Sequence, residues 1–160
     1  RRTGVRPGAA VLLVLGLSGA AHPGSAAGQT GMELGLVAVG TNRPTAGAVV
    51  GPSVAWRIAG RDRLVALLGA GTRGAGWLGR GELAWQVMLD PNRRSGVSPF
   101  AGAGIAVERD TVWREWVMLE AGVMIRPGVG PGWSLSLGLG GGLRLMAAHR
   151  WWLGRRLPGG

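Results

Sequence analysis

A chain of 160 residues carrying a formal charge of +10 and no cysteine is long enough for one domain with its own core. It can build neither a disulfide, nor a thiolate metal site, nor a lipidated N-terminal cysteine. Every basic residue is an arginine, and Arg43, Arg57, Arg61, Arg63, Arg73, Arg93, Arg94 and Arg109 fall mostly at strand ends and in turns. That is a pattern of surface charge, not the one-sided cluster of a nucleic-acid interface.

The chain opens like a secretory signal. Arg1, Arg2 and Arg6 form a basic start, residues 9–17 (AAVLLVLGL) an apolar run, and small residues follow at 18–20 and 25–27. The run is well short of the ~20 residues a spanning helix needs, so residues 1–27 are expected to be a cleaved signal peptide. Residues 28–160 are then a single domain.

From there on the period is two. Residues 32–39 (MELGLVAV) read as a first strand. Residues 48–58 read as a second, interrupted by Pro52, a residue that costs a ladder bond. Residues 63–71 form the third strand, with Leu64, Ala66, Leu68 and Ala70 aligned. The fourth, 77–89, sets Leu83, Trp85, Val87 and Leu89 opposite Glu82, Ala84, Gln86 and Met88.

A turn rich in Asp, Pro, Asn and Gly (90–96) leads into residues 97–108. Residues 113–126 carry the clearest pattern: Val117, Leu119, Ala121, Val123 and Ile125 on one side, and Trp116, Met118, Glu120, Gly122, Met124 and Arg126 on the other. Residues 133–139 are a seventh strand. Regular spacing with turn signals between argues a barrel or a sandwich. Residues 140–157 hold two fragments, 143–146 and 150–153, that alternate poorly, so an eighth strand is weakly marked. Glycine, at 32 of 160 residues, is nearly three times its usual ~7% and is not pooled in a linker, so the fold itself requires missing side chains.

Alternation does not say which face is the outside. In a soluble secreted barrel or sandwich the Val/Leu face turns inward around a small apolar ligand. In an outer-membrane barrel it turns outward to lipid, and the polar face lines a narrow interior. Three features favour the second. Several runs match the ~9–11 residues with which tilted strands cross a bilayer. The polar face mixes Gly and Ala with Arg57, Glu82, Gln86, Glu120 and Arg126, which suits the crowded inside of an eight-stranded barrel and predicts a lumenal ion-pair network. Finally, Trp56 and Trp133 would stand at one rim and Trp77 and Trp113 at the other, all on the apolar face, as an aromatic girdle requires.

With these features the segment 97–107 (VSPFAGAGIAV) resembles the small outer-membrane β-barrel domains of the OmpA/OmpX type. There a turn often leads into Ser-Pro-aromatic and a glycine-alternating strand. The resemblance implies an all-β, antiparallel up-and-down transmembrane barrel of eight strands, monomeric or weakly associated. Outer-membrane lipid and the barrel-assembly machinery would be its partners. Such chains usually end on an aromatic residue that the machinery reads, whereas this sequence runs on to 155–160 (RRLPGG). Either the last strand ends near Trp152, or the C-terminus is extended or frameshifted.

Catalytic chemistry finds little material. His22 is expected to leave with the signal, and His149 has no serine after Ser136 to activate. One histidine without cysteine cannot cage a transition metal. Glu108, Asp110 and Glu115 gather near one turn, but Arg109 and Arg114 interleave them, which reads as a solvated charged loop and not a calcium site. The glycines at 138 and 140–142 lack the Lys-Ser/Thr of a phosphate loop. The expectation is a structural or surface-interaction protein without cofactor or catalysis.

Overall fold

The computed structural model describes residues 31–152, apart from 43–44, 60, 94 and 128–130; the signal-like segment 1–27 lies outside the described residues. Eight strands follow in order: β1 (Gly31–Thr41), β2 (Gly47–Ala59), β3 (Asp62–Arg73), β4 (Gly76–Met88), β5 (Val97–Arg109), β6 (Trp113–Ile125), β7 (Gly132–Leu139) and β8 (Leu143–Trp152). Each pairs antiparallel with the next. β8 returns to β1 through Leu34↔Trp151, Leu36↔His149 and Ala38↔Ala147, closing the sheet into an up-and-down barrel. Closure removes the edges that an open sheet would expose.

The eighth strand is continuous, and it explains why the sequence hides it. Leu143, Leu145, Ala147, His149 and Trp151 share the outer face, while Arg144, Met146, Ala148 and Arg150 are buried inside. Methionine and alanine on the inside, with alanine and histidine on the outside, erase the polarity contrast on which alternation depends. The strand is described to Trp152; residues 153–160 lie outside the described residues.

Pro52 sits where its missing N–H does least harm. It pairs with Leu36 of β1, whereas the β2–β3 register passes from Val50↔Ala70 to Ser53↔Leu67 without it.

The interior is filled. Val37, Val39, Val49, Leu67, Leu78, Met146 and Ala148 form one apolar cluster. Ala84, Ala106 and Met118 form a second, with Trp116 against it, and Met88, Phe100 and Met124 a third. Inward-facing glycines make so narrow a barrel possible. A Cβ added at Gly104 would lie 2.1 Å from the Leu83 carbonyl oxygen and 2.7 Å from Ala84 Cα, both backbone atoms that cannot swing aside. Glycine in a strand interior marks such a close approach. Gly104→Ala is therefore expected to cost about 1–3 kcal/mol, the usual range for overpacking. A urea titration of the refolded barrel checks it, and an unchanged midpoint would show that the β4–β5 wall yields.

The connections differ between the two ends. At the end where β1 starts and β8 stops (the terminal end), residues 89–96 and 126–131 make the longer crossings. At the far end the strands are joined by residues 42–46, 74–75, 110–112 and 140–142. The two-residue turn after Arg73 relies on Gly74 at φ 58°, the positive angle a tight hairpin needs at its first central position.

Candidate functional site

Period-two geometry forces every second residue of each strand into the lumen, and in this chain many of those residues are charged. Glu33, Glu82, Glu108, Glu120, Arg63, Arg73, Arg80, Arg144 and Arg150 are all buried. Burying a charge is tolerable only with a partner, and the lumen pairs them in three tiers.

Nearest the far end, Arg73 places Nη2 2.9 Å from Glu108 Oε2 and donates to Thr41 Oγ1 at 3.1 Å. Arg80 pairs with Glu108 and with Glu82, and donates to the Gly140 carbonyl at 3.0 Å. In the middle, Arg144 bridges Glu82 and Glu120, with Nη1 3.0 Å from Glu120 Oε2. Gln86 Nε2 and Ser136 Oγ donate to the two oxygens of Glu120 at 2.7 and 2.8 Å.

At the terminal end, Glu33 meets three guanidinium groups: Arg63 and Arg150 at 2.8 Å and Arg57 at 3.2 Å. Arg63 also donates to Gln86 Oε1 at 3.0 Å, which joins this tier to the middle one. Here the backbone of residues 125–127 accepts hydrogen bonds at the mouth. Arg57 donates to the Pro127 carbonyl at 2.6 Å, and Arg150 to the Arg126 carbonyl at 3.2 Å.

Of the residues expected in the lumen, Glu82, Gln86 and Glu120 stand together in the middle tier, and Arg57 stands half-buried at the terminal mouth. Arg126 does not face the lumen. β6 stops at Ile125, Arg126 adopts φ 54°, and its side chain is exposed; only its carbonyl enters the network. Extending strand parity one residue past the true end is what misplaced it. Apart from Arg57, the cations that do the pairing were not singled out from the sequence. Arg63 and Arg73 sit at strand ends, as expected, but they turn inward and are 5% and 8% exposed. Parity with Glu82 would have found Arg80, and position 33 between Met32 and Leu34 would have found Glu33.

The expected loop cluster does not form. Glu108 points inward, Glu115 is exposed, and Asp110 is held by its neighbours. The Val112 N–H, and then the Arg114 guanidinium, keep the Asp110 carboxyl well below the usual carboxylate range. Its ordering of the 110–112 turn is thus present at neutral pH and is lost only as pH falls through that lowered value. Among the described residues no group of three or more His, Cys, Asp or Glu is placed to hold a metal ion.

His149 faces outward, edge-on to Trp133 and Trp151 with ring centroids 4.8 and 4.4 Å away. Ser134 and Ser136 face the opposite side of the wall, so His149 meets no serine there.

Outside, the picture inverts. Large apolar side chains ring the barrel, including Leu68 at 70% exposed, Val117 at 77% and Leu119 at 57%. Trp56 and Trp133 stand exposed near the terminal end, and Trp77 and Trp113 near the far end. Trp151 joins the terminal rim, and Trp85, on the same outer face, donates its indole N–H to Asp62 at 3.2 Å. The soluble alternative required Trp77, Trp85 and Trp133 to line an apolar cavity. They line the outside instead, and the lumen retains a void of only about 20 Å³, room for one water.

An eight-stranded closed barrel with a charged, filled interior and an apolar exterior has the architecture of the small outer-membrane barrels. Solved structures share the fold. The chain is similar to the N-terminal β-barrel domain of Pseudomonas aeruginosa OprF, with a TM-score of 0.58 and 14% identity over 76% of this chain and 96% of that one. It is similar to Neisserial surface protein A, with a TM-score of 0.50 and 11% identity over 76% and 94%. A de novo designed protein, TMB2.3, gives 0.55 and 16% over 79% and 96%. No protein-family model and no curated protein sequence matches the chain. At these identities the likeness is one of fold.

Proposed function

We propose that the protein is a small integral outer-membrane β-barrel with a structural or surface-interaction role and no catalytic activity. Residues 1–27 export it as a cleaved signal peptide, the barrel-assembly machinery inserts it, and it works as a monomer without cofactor. One observation carries this reading: the hydrophobic residues are outside and the charges inside. Water-soluble proteins seldom expose contiguous apolar patches beyond a few hundred Å², whereas a lipid-facing barrel must expose a complete apolar band flanked by aromatic residues. Strands of eight to 13 residues supply the length to cross the hydrocarbon layer.

The non-catalytic part rests on the state of the lumenal acids. Glu33, Glu82, Glu108 and Glu120 each face at least one arginine within ion-pair distance. All four are buried, so none is within reach of a substrate's proton, as a general acid or base must be. The short far-end connections offer little area for adhesion, which favours a structural task.

Fractionation of expressing Gram-negative cells tests the reading. The expected result is a band in the outer-membrane pellet that shifts in apparent size between unboiled and boiled samples, because such barrels stay folded in cold detergent. A soluble periplasmic band without a heat shift would overturn it.

A further inference from the structure

Charge is not evenly compensated along the lumen. In the middle and far tiers three carboxylates, Glu82, Glu108 and Glu120, face three buried guanidinium groups, Arg73, Arg80 and Arg144. At the terminal end, among the described residues, Glu33 is the one carboxylate serving the buried Arg63 and Arg150, and Arg57 joins them from the mouth. The surplus positive charge of the lumen is therefore concentrated around one carboxylate. The carbonyls of residues 125–127 accept hydrogen bonds there, but they are dipoles and cancel no net charge. An unbalanced charge inside a closed barrel is costly.

Two further features bear on the same pair of arginines. Arg63 and Arg150, with side chains 6% and 3% exposed, each leave Nε without an acceptor among the described residues. Both line the residual void of about 20 Å³, together with Gln86, Ser134 and the apolar Val37, Leu67 and Met146; the void adjoins the middle tier, and Glu33 is not among its lining residues. Glu82 and Glu120 line it too, but Arg144 and Arg80 already neutralise them. The void is too small for a phosphate or a carboxylate and takes one water-sized occupant.

We propose that this void is a site for a single monatomic anion of the halide class, held against Arg63 Nε and Arg150 Nε and balancing the Glu33 tier. The site is internal to the barrel and stands whether or not the barrel spans a membrane.

The test uses the full chain refolded in detergent with bromide as the probe, against gluconate at equal ionic strength. Bromide is expected to raise the unfolding temperature saturably, where gluconate, too large for the void, does not. Crystals grown in bromide are expected to show an anomalous peak beside the two Nε atoms. Glu33→Gln removes the competing carboxylate and is expected to lower the half-saturating bromide by roughly tenfold or more, although it destabilises the barrel in gluconate. Arg63→Gln is expected to abolish the bromide effect. Should that variant fail to fold, the wild-type peak and the Glu33→Gln shift decide alone. Water without anomalous signal in the void, bromide only at exterior arginines, or equal stability in both salts would each overturn the proposal.

Discussion

Arg144→Met is expected to destabilise the barrel by about 3–5 kcal/mol, the cost of breaking a buried ion pair from one side. Arg144 is 2% exposed. It is the cation that reaches both middle-tier carboxylates, with Nη2 2.5 Å from Glu82 and Nη1 3.0 Å from Glu120. Without it, among the described residues, Glu120 keeps hydrogen bonds from the neutral donors Gln86 and Ser136, and Glu82 keeps its ion pair with Arg80. Methionine approximates the lost length and apolar stem, so the deficit is electrostatic and little of it is cavity.

Urea unfolding is the measurement, with the midpoint expected to fall and the slope to stay unchanged. The control is the double variant Arg144→Met, Glu120→Gln. Once the orphaned charge is removed as well, part of the loss should return, because replacing both partners of a buried pair is often close to neutral. A single variant as stable as the parent would mean that water reaches the tier and screens it, and the picture of a dry, paired lumen would fail.

How much of this the sequence declares depends on which face a residue occupies. The outer face is largely apolar, so its period of two survives in β1 through β7 despite Pro52. The eighth strand fails because Met146 and Ala148 are inside while Ala147 and His149 are outside, and a polarity test sees no difference. In the lumen Glu82, Gln86 and Glu120 stand out by parity, because polar side chains alternating with the Leu and Val positions mark the inner face.

Their partners do not stand out. Glu82 on β4 meets Arg144 on β8 across the barrel, 62 residues away, and such a contact depends on closure and shear, which no single strand records. Arginines at strand ends add a second ambiguity. Arg63 and Arg126 look alike in sequence, yet one lies inside β3 and turns in, while the other lies just past β6 and turns out at φ 54°. A one-residue difference in strand length decides it.

Leu119→Arg is expected to cost about 2–4 kcal/mol in a lipid bilayer, the range for an arginine at the midplane of a membrane barrel. Leu119 lies in the middle of β6 on the outer face, 57% exposed, and Leu68 holds the corresponding height on β3; Leu68→Arg should behave alike. In water these side chains are already open to solvent, and surface substitutions of that kind usually fall within about 0.5 kcal/mol. The exterior thus reports its own solvent.

Depth along the barrel separates lipid contact from a general intolerance of arginine on the outer face. Leu89→Arg, just beyond the end of β4, and Val112→Arg, in the turn before β6, are also on exposed side chains, but at the rims, where the cost should drop to about 0–1 kcal/mol. Folding of the four variants into phosphatidylcholine vesicles, followed by urea titration, gives the profile. A steep loss at the belt and little at the rims is what lipid contact demands. Equal, small effects at all four positions would put water against the belt and end the membrane assignment, leaving the same barrel with a different solvent.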